Sequence, residues 1–331
     1  MRPLPRGWVV LAGWAWLGVS LACAVALGSV PLSLHQVASV LAEAAGLGHP
    51  ASGPGYAIVV ELRLPRALLA GLVGAGLACS GAVYQTLFRN PLADPYVVGV
   101  APGAALGAVA AITAGLGGVG VSVAAFAFAV AAVFVVYRVA VFRGRGPEDL
   151  LLSGLAAGTF FAAVLSVILV LSHGSLQQAL AWLLGSLGGR GWEHVHLTAL
   201  AILTGYLLAR GCARELDVLL LGEEEASATG VDVPRARVYL VASATLMTAA
   251  AVAAAGLVGF VGLVVPHMVR RLAGAAHADL LPGSALLGAS LLVWADLLAR
   301  TAAAPLEIPV GAITALVGVP FFLWLVGRTD R

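Results

Sequence analysis

Arg63-Leu64-Pro65-Arg66, His194-Val195-His196, the run Glu223-Glu224-Glu225 and the isolated Asp296 are where this sequence gathers groups able to do chemistry. Every one of its 18 basic residues is arginine, and no lysine occurs anywhere. A phosphate-cradling P-loop ends in a lysine, and Schiff-base or lysine-nucleophile catalysis needs one too, so neither chemistry belongs to this chain. If ATP drives the protein, another chain binds it. His194 and His196 sit two apart and so point to different faces of a helix; with Glu193 they lack a third converging ligand, and a metal site wants three or four. His267 follows Pro266 in an apolar run, where a histidine bonded to a backbone carbonyl is expected. Cys23, Cys79 and Cys212 are scattered without a CxxC pair and read as packing groups, with neither disulfide nor metal expected. No residue is assigned a catalytic role.

The elements that position these groups are set by the solvent the composition demands. Of 331 residues 61% are hydrophobic and 10% charged, with a mean hydropathy of +1.01, against about 25% charged in a soluble domain. That solvent is lipid. Each span needs about 20 apolar residues, and apolar runs between charges and Gly/Pro clusters give ten: near 7–30, 62–88, 94–113, 118–142, 148–171, 192–210, 237–256, 257–273, 282–303 and 308–326. The expected fold is an all-α polytopic membrane protein forming one transmembrane domain over 1–331. The 41 glycines suit close helix packing in lipid. The stretch 177–189, QQALAWLLGSLGG, is too short to span and reads as an interfacial or re-entrant helix. The run from Trp8 to Val30 exceeds a signal-peptide core, and Leu21-Ala22-Cys23 resembles a lipoprotein cleavage site only loosely, so no cleavage is expected. Tryptophans 8, 14, 16, 182, 192 and 324 lie mostly near span ends, as an interfacial belt would place them.

Positive charge collects on cytoplasmic loops. With both termini cytoplasmic, fourteen arginines fall inside and four outside: Arg63, Arg66, Arg190 and Arg300. The outer four are open to two readings, snorkelling at helix ends or a positive rim that receives an acidic partner. The largest inner loop, 211–237, carries Glu215, Asp217, Glu223 to Glu225, Gly230, Asp232 and Pro234. Acidic residues after Gly222 favour a helix start and Gly230 can end it, so the loop reads as short helices outside the membrane and as a docking platform. A net charge of +2 gives no reason to expect nucleic acid.

Six ordered segments resemble one family: RLPRALLAGLVGAGLACSGAVYQTLFRNPLADPYVVGVAPGAALGA (63–108), LLLSGLAAG (150–158), WLLGSLGG (182–189), GLVGFVGLVVPHMVRRLAG (256–274), LLPGSALLGASLLVWADLLART (280–301) and EIPVGAITALVGVPFFLWLV (307–326). They are similar to the permeases of type II ABC importers that take up ferric siderophores, haem and vitamin B12. The resemblance runs from about Glu61 to Val326. It implies a homodimer of ten-span subunits in the cytoplasmic (inner) membrane with a path between the copies. Each copy docks one ATPase subunit inside, and one periplasmic or lipoprotein binding protein caps the dimer. ATP and Mg then belong to the ATPase, and this chain carries no cofactor.

Carried onto this sequence, the resemblance makes Arg63, Arg66 and Arg300 the arginines that receive glutamates of the binding protein. Asp296, four residues before Arg300, is placed to hold it. Gly222, Glu223, Glu224, Glu225 and Gly230 fall in the coupling helices that sit in a cleft of the ATPase. Asn90 and Leu92 match a cytoplasmic gate. Gly146-Pro147-Glu148 occupies the position of a second gate, where the family often has small hydroxyl residues and this sequence departs from it. The family's halves are related by inverted topology; here Pro102-Gly103 with Pro282-Gly283, and Ala75-Gly76-Leu77 with Ala255-Gly256-Leu257, share a spacing that carries no weight in so Ala- and Gly-rich a chain. The alternative is an ion-coupled secondary transporter, which needs intramembrane carboxylates; Asp296 is the one clear candidate. The substrate stays open among haem, ferric siderophore and corrinoid.

Overall fold

The structure, a computed structural model, describes residues 6–28, 30–44, 46, 54–143, 146–172 and 174–329. The first helix, α1 (Arg6–Ala26), is followed by α2 (Leu34–Ala44) and the single turn α3 (Pro54–Tyr56). A π-helical segment, Ala57–Arg63, leads from α3 into α4 (Leu64–Leu87). Then come α5 (Val100–Thr113), α6 (Gly118–Arg143), α7 (Pro147–Leu171), α8 (Leu176–Leu183) and α9 (Trp192–Gly211). The short α10 (Ala213–Leu219) and α11 (Glu223–Ala228) precede α12 (Val233–Ala255), α13 (Val261–Ala273), α14 (His277–Thr301) and α15 (Val310–Thr329). Among the described residues five helices are long and apolar enough to cross a membrane, or six if α9 and α10, bent by 60°, count as one span. Three shorter apolar helices lie within α1, α5 and α15.

The core is built around α4, which packs against α1, α9, α12, α13 and α14. Its glycines make this possible. A Cβ on Gly81 would stand 1.9 Å from the carbonyl oxygen of Gly262 in α13, and one on Gly74 would stand 2.1 Å from that of Gly288 in α14. Only hydrogen leaves room for backbones this close, which is how helices in lipid gain dispersion energy.

Helix lengths repeat along the chain. The series α4 to α7 measures 24, 14, 26 and 25 residues, and α12 to α15 measures 23, 13, 25 and 20. Exchanging the two series maps contacts onto contacts: α4 on α14 becomes α12 on α6, α5 on α6 becomes α13 on α14, and α5 on α7 becomes α13 on α15. The two short members begin at left-handed residues, Gly99 (φ 86°) before α5 and Phe260 (φ 68°) before α13. The spaced dipeptides fall elsewhere: Gly76 is inside α4 whereas Gly256 ends α12, and Pro102 is in α5 whereas Pro282 is in α14.

Those two helices also start later than the apolar runs predict, at Val100 instead of 94 and Val261 instead of 257. Before α5 the chain makes turns through Pro91, Asp94 and Pro95, with Asp94 accepting the Tyr96 amide at 2.8 Å. Before α13, Gly256 (φ 72°) and Phe260 turn the chain sharply. A hydropathy window misses these breaks because Asp94 is the lone charge in a stretch that is otherwise uncharged, and glycine and proline turns do not lower its average much. The stretch expected to be interfacial or re-entrant forms α8, and its exit at Gly185 (φ 79°) is sewn inward: Ser186 donates its amide to Ala255, and Val310 donates to Gly185.

Trp14 and Trp16 are exposed, as a belt requires. Trp182 is not; it is buried in the core, because α8 folds back against α5 instead of lying flat. The side chains of Trp8 and Trp324 lie outside the described residues. The cysteines are free.

Candidate transport sites at the two ends of the bundle

Arg63, Arg66 and Arg300 come from the π-helical segment, α4 and α14, and converge at one end of the bundle. Arg63 ends the π-helical segment and turns into the protein, where its guanidinium donates to the carbonyls of Val25 (3.0 Å), Ala26 (2.9 Å) and Val30. Arg300 donates to Ala24. These are carbonyls at and beyond the last turn of α1, which have no partner within the helix; two arginines cap that end and complement its dipole. Both are buried, 5% and 6% exposed.

Arg66 is held differently. Its Nε and Nη2 grip Asp296 at 3.0 and 2.9 Å, and its Nη1 and Nη2 grip Glu307 at 2.8 and 3.0 Å. Asp296 lies 3.6 Å from Arg300, the pairing that its i,i+4 spacing predicts, but its closer partner is Arg66. The sequence reading missed Glu307, which lies 241 positions from Arg66; the only signal was a lone carboxylate in the turn before α15. Glu307 is 45% exposed, so this carboxylate is the solvent-facing member of the cluster. The arginine beside it holds its carboxyl below the ordinary glutamate range, mainly by hydrogen bonding.

At the opposite end, α10 and α11 form the predicted short helices. Glu223 is half-buried and paired with Arg237 of α12, whereas Glu224 and Glu225 are exposed. The triplet thus splits into one anchor and two surface charges. Gly222 (φ 132°) and Gly230 (φ 84°) bound α11 in backbone conformations that favour glycine. A cavity of about 620 Å³ lies under this loop between Tyr137, Leu150, Ser227, Pro234 and Val238.

A second tie was not legible at all. Asp217 of α10 accepts both the backbone amide (2.9 Å) and Nδ1 (2.6 Å) of His277, the first residue of α14. The Nε2 of His277 meets Thr86 Oγ1 at 2.7 Å, in the last turn of α4. Nearby, Gln85 donates to the carbonyls of Gly262 and Leu263 and accepts from Arg270, joining α4 to α13. The loop of α10 and α11 is therefore hydrogen-bonded to α12 through Glu223 and to α14 through Asp217, and His277 carries the second tie on to α4. Asn90 and Leu92 follow α4 directly and are exposed; the Asn90 side chain accepts the Leu92 amide at 2.9 Å, fixing a turn. Gly146 caps α7, whose first turn carries Glu148 and Asp149.

The histidine pair diverges: His194 contacts Arg190, and His196 stacks on Trp192 with centroids 6.0 Å apart. Among the described residues no three His, Cys, Asp or Glu side chains gather as metal ligands. His267 departs from expectation, since its Nε2 is buried without a hydrogen-bond partner among the described residues.

A bundle of apolar helices with a charged cluster at one end and a structured polar loop tied to three core helices at the other defines a multi-pass membrane transport permease. Residues 16–328 match the FecCD transport family, and the chain belongs to that family. It is 46% identical over 332 residues to the cobalamin import system permease protein BtuC of Halobacterium salinarum, covering 98% of this chain and 89% of that protein. It is 42% identical to the hemin transport system permease protein HmuU of Yersinia pestis (82% and 83% covered) and 41% identical to the Fe(3+) dicitrate transport system permease protein FecD of Escherichia coli (82% and 86%). Among solved structures it superposes on an inward-facing metal-chelate type ABC transporter with a TM-score of 0.86 and 31% identity, over 97% of this chain and 99% of the other. The chain is thus an ABC importer permease, with ATP hydrolysis on a separate subunit.

Proposed function

We propose that this chain forms a homodimer of ten-span subunits in the cytoplasmic membrane, with both termini inside, and passes an iron chelate, haem or a corrinoid through a gated path between the copies. Ten helices support the count: α1, α4 with its π-helical lead, α5, α6, α7, α9, α12, α13, α14 and α15 each fall in one of the ten apolar windows. The arginine bias supports the orientation. Relatives named for cobalamin, hemin and ferric citrate import support the substrate class.

The observation that carries the mechanism is the double tie of the loop 211–237, through Glu223 to Arg237 and through Asp217 to His277 and Thr86. An ATPase subunit that seats on Gly222 to Gly230 and moves on nucleotide binding would pull α12, α4 and α14 together, a two-state rigid-body switch. Asn90 and Leu92, rigidly following α4, would open or close with it as the gate. Outside, the cluster of Arg63, Arg66 and Arg300 carries one more positive than negative charge, and it would receive acidic residues of a binding protein at the Arg66–Glu307 edge. Arg63 and Arg300 contribute field from beneath, since buried charges are poorly screened. ATP and Mg reside on the ATPase subunits.

Asp296 suits no proton relay, because both its oxygens face arginine. The test is uptake in proteoliposomes containing the permease, a cognate ATPase and a binding protein. ATP-dependent uptake that requires all three is expected; uptake driven by an ion gradient with the permease alone would overturn the proposal. Reversing Arg66 to glutamate should weaken binding-protein capture in a salt-sensitive way, and unchanged capture across a salt series would remove Arg66 from the interface.

A further inference from the structure

Arg190 is the one outer arginine that the docking cluster does not absorb, and its surroundings differ from those of the other three. It precedes α9 and reaches only neutral groups: His194 Nε2 at 3.1 Å, Ser122 Oγ at 3.4 Å and the Gly118 carbonyl at 3.5 Å. No carboxylate among the described residues pairs with it. The guanidinium can only donate, and the His194 ring also reaches the Gly118 carbonyl, so the two side chains share the same few neutral partners. His194 Nδ1 is buried with no hydrogen-bond partner among the described residues, and so is Arg190 Nε. His194 is 8% exposed. A buried N–H donor of Arg190 and its uncompensated positive charge lack an acceptor, a costly state that an oxygen anion would relieve.

His194 and Ser122 also line the end of an apolar furrow of about 410 Å³ between α6, α9 and α12, walled by Val123, Phe126, Leu197 and Ala201. Along α9 the furrow runs from His194 to Thr204, ten residues, or about 15 Å of helix. That equals the depth of one leaflet, half of a hydrocarbon core of about 30 Å. A second apolar cavity of about 340 Å³ continues along the same helices, sharing Leu246 with the first. Leu200, on the furrow wall, is 70% exposed, so the furrow opens sideways on the surface that faces lipid.

We propose that this furrow seats an anionic phospholipid, its phosphate held by Arg190, His194 and Ser122 and one acyl chain lying along α9. The chemistry matches at both ends: an oxygen anion for an orphan donor and a cation, and a chain one leaflet deep for an apolar trough. Assigning the lipid to the outer leaflet rests on the orientation proposed above; the site itself does not.

The test is native mass spectrometry of the delipidated permease, titrated with phosphatidylglycerol and, separately, with a diacyl galactolipid that has no phosphate. Phosphatidylglycerol should bind and survive as an adduct. Arg190→Gln should weaken it by about tenfold or more, the effect of losing a charge-assisted hydrogen bond, while leaving galactolipid binding unchanged. Ala201→Phe, which fills the furrow from a half-buried position, should weaken both lipids. Ser122→Ala carries the headgroup arm if Arg190→Gln does not fold, as judged by its thermal midpoint. Wild-type phosphatidylglycerol binding in folded headgroup and furrow variants alike would overturn the proposal. So would an Arg190→Gln variant that loses binding-protein capture while its lipid binding is untouched, which would make Arg190 a docking residue.

Discussion

Thr86 in the last turn of α4 and Asp217 in α10 never touch, yet His277 joins them, one ring nitrogen 2.7 Å from the hydroxyl and the other 2.6 Å from the carboxylate. The ring is fully buried, so solvent cannot substitute for either partner. His277 thus links α10 to the end of α4 as well as to α14.

Asp217→Asn tests that link. The amide keeps the shape but removes the charge, weakening a hydrogen bond worth about 1.5–3 kcal/mol when one partner is ionised. ATPase binding should persist, while substrate transported per ATP hydrolysed should fall in proteoliposomes. An unchanged ratio would show that the loop acts through Glu223 alone.

Glu223, Glu224 and Glu225 should behave differently from one another. Glu223→Ala removes an ion pair from the partly buried Arg237, and should lower the thermal midpoint of the purified permease. Alanine at both 224 and 225 should leave the midpoint unchanged and weaken capture of the ATPase, measured by pull-down. Equal midpoints for the two variants would erase the distinction.

The Arg66–Glu307 pair predicts an acid limb. The carboxyl of Glu307 is held below its ordinary value of 4.5, mainly by its hydrogen bond from Arg66. A depressed acid adds stability that is fully present above its unfolded value and is lost as pH falls through the lowered one. Thermal midpoints followed downward from pH 6 should therefore drop for the wild type and drop less for Glu307→Gln, with the difference shrinking in high salt because Glu307 is partly exposed.

Gly81→Ala tests the close approach of α4 and α13. The added carbon would lie 1.9 Å from a backbone oxygen that cannot rotate away. Helix separation then costs about 1–3 kcal/mol or more, read as a lower unfolding midpoint. Gly18, where a Cβ meets nothing within 4 Å, is the control and should tolerate alanine without loss.

Much of this protein is local in sequence. The apolar windows gave the places of the main helices, because a helix in lipid satisfies its own backbone and needs only a run of apolar residues. The short helices of the inner loop were legible from Gly222, the acidic triplet and Gly230, which act within one turn of where they stand. The arginines at one end were legible as exceptions to a charge bias. The delayed starts of α5 and α13 were not, because turns set in uncharged sequence, with Asp94 as the lone charge before α5, average out as span in a hydropathy window.

The sequence alone therefore determined that the chain lives in a membrane, that it contains no lysine-based nucleotide site, and which charges stand at which end. Tertiary structure decided what those charges do. Arg63 and Arg300 cap α1, Arg66 reaches 230 positions to Asp296 and 241 to Glu307, and Glu223 is separated in role from its two neighbours. Such pairings depend on which helix faces pack together, and a long-range contact leaves no periodic trace in the residues that make it.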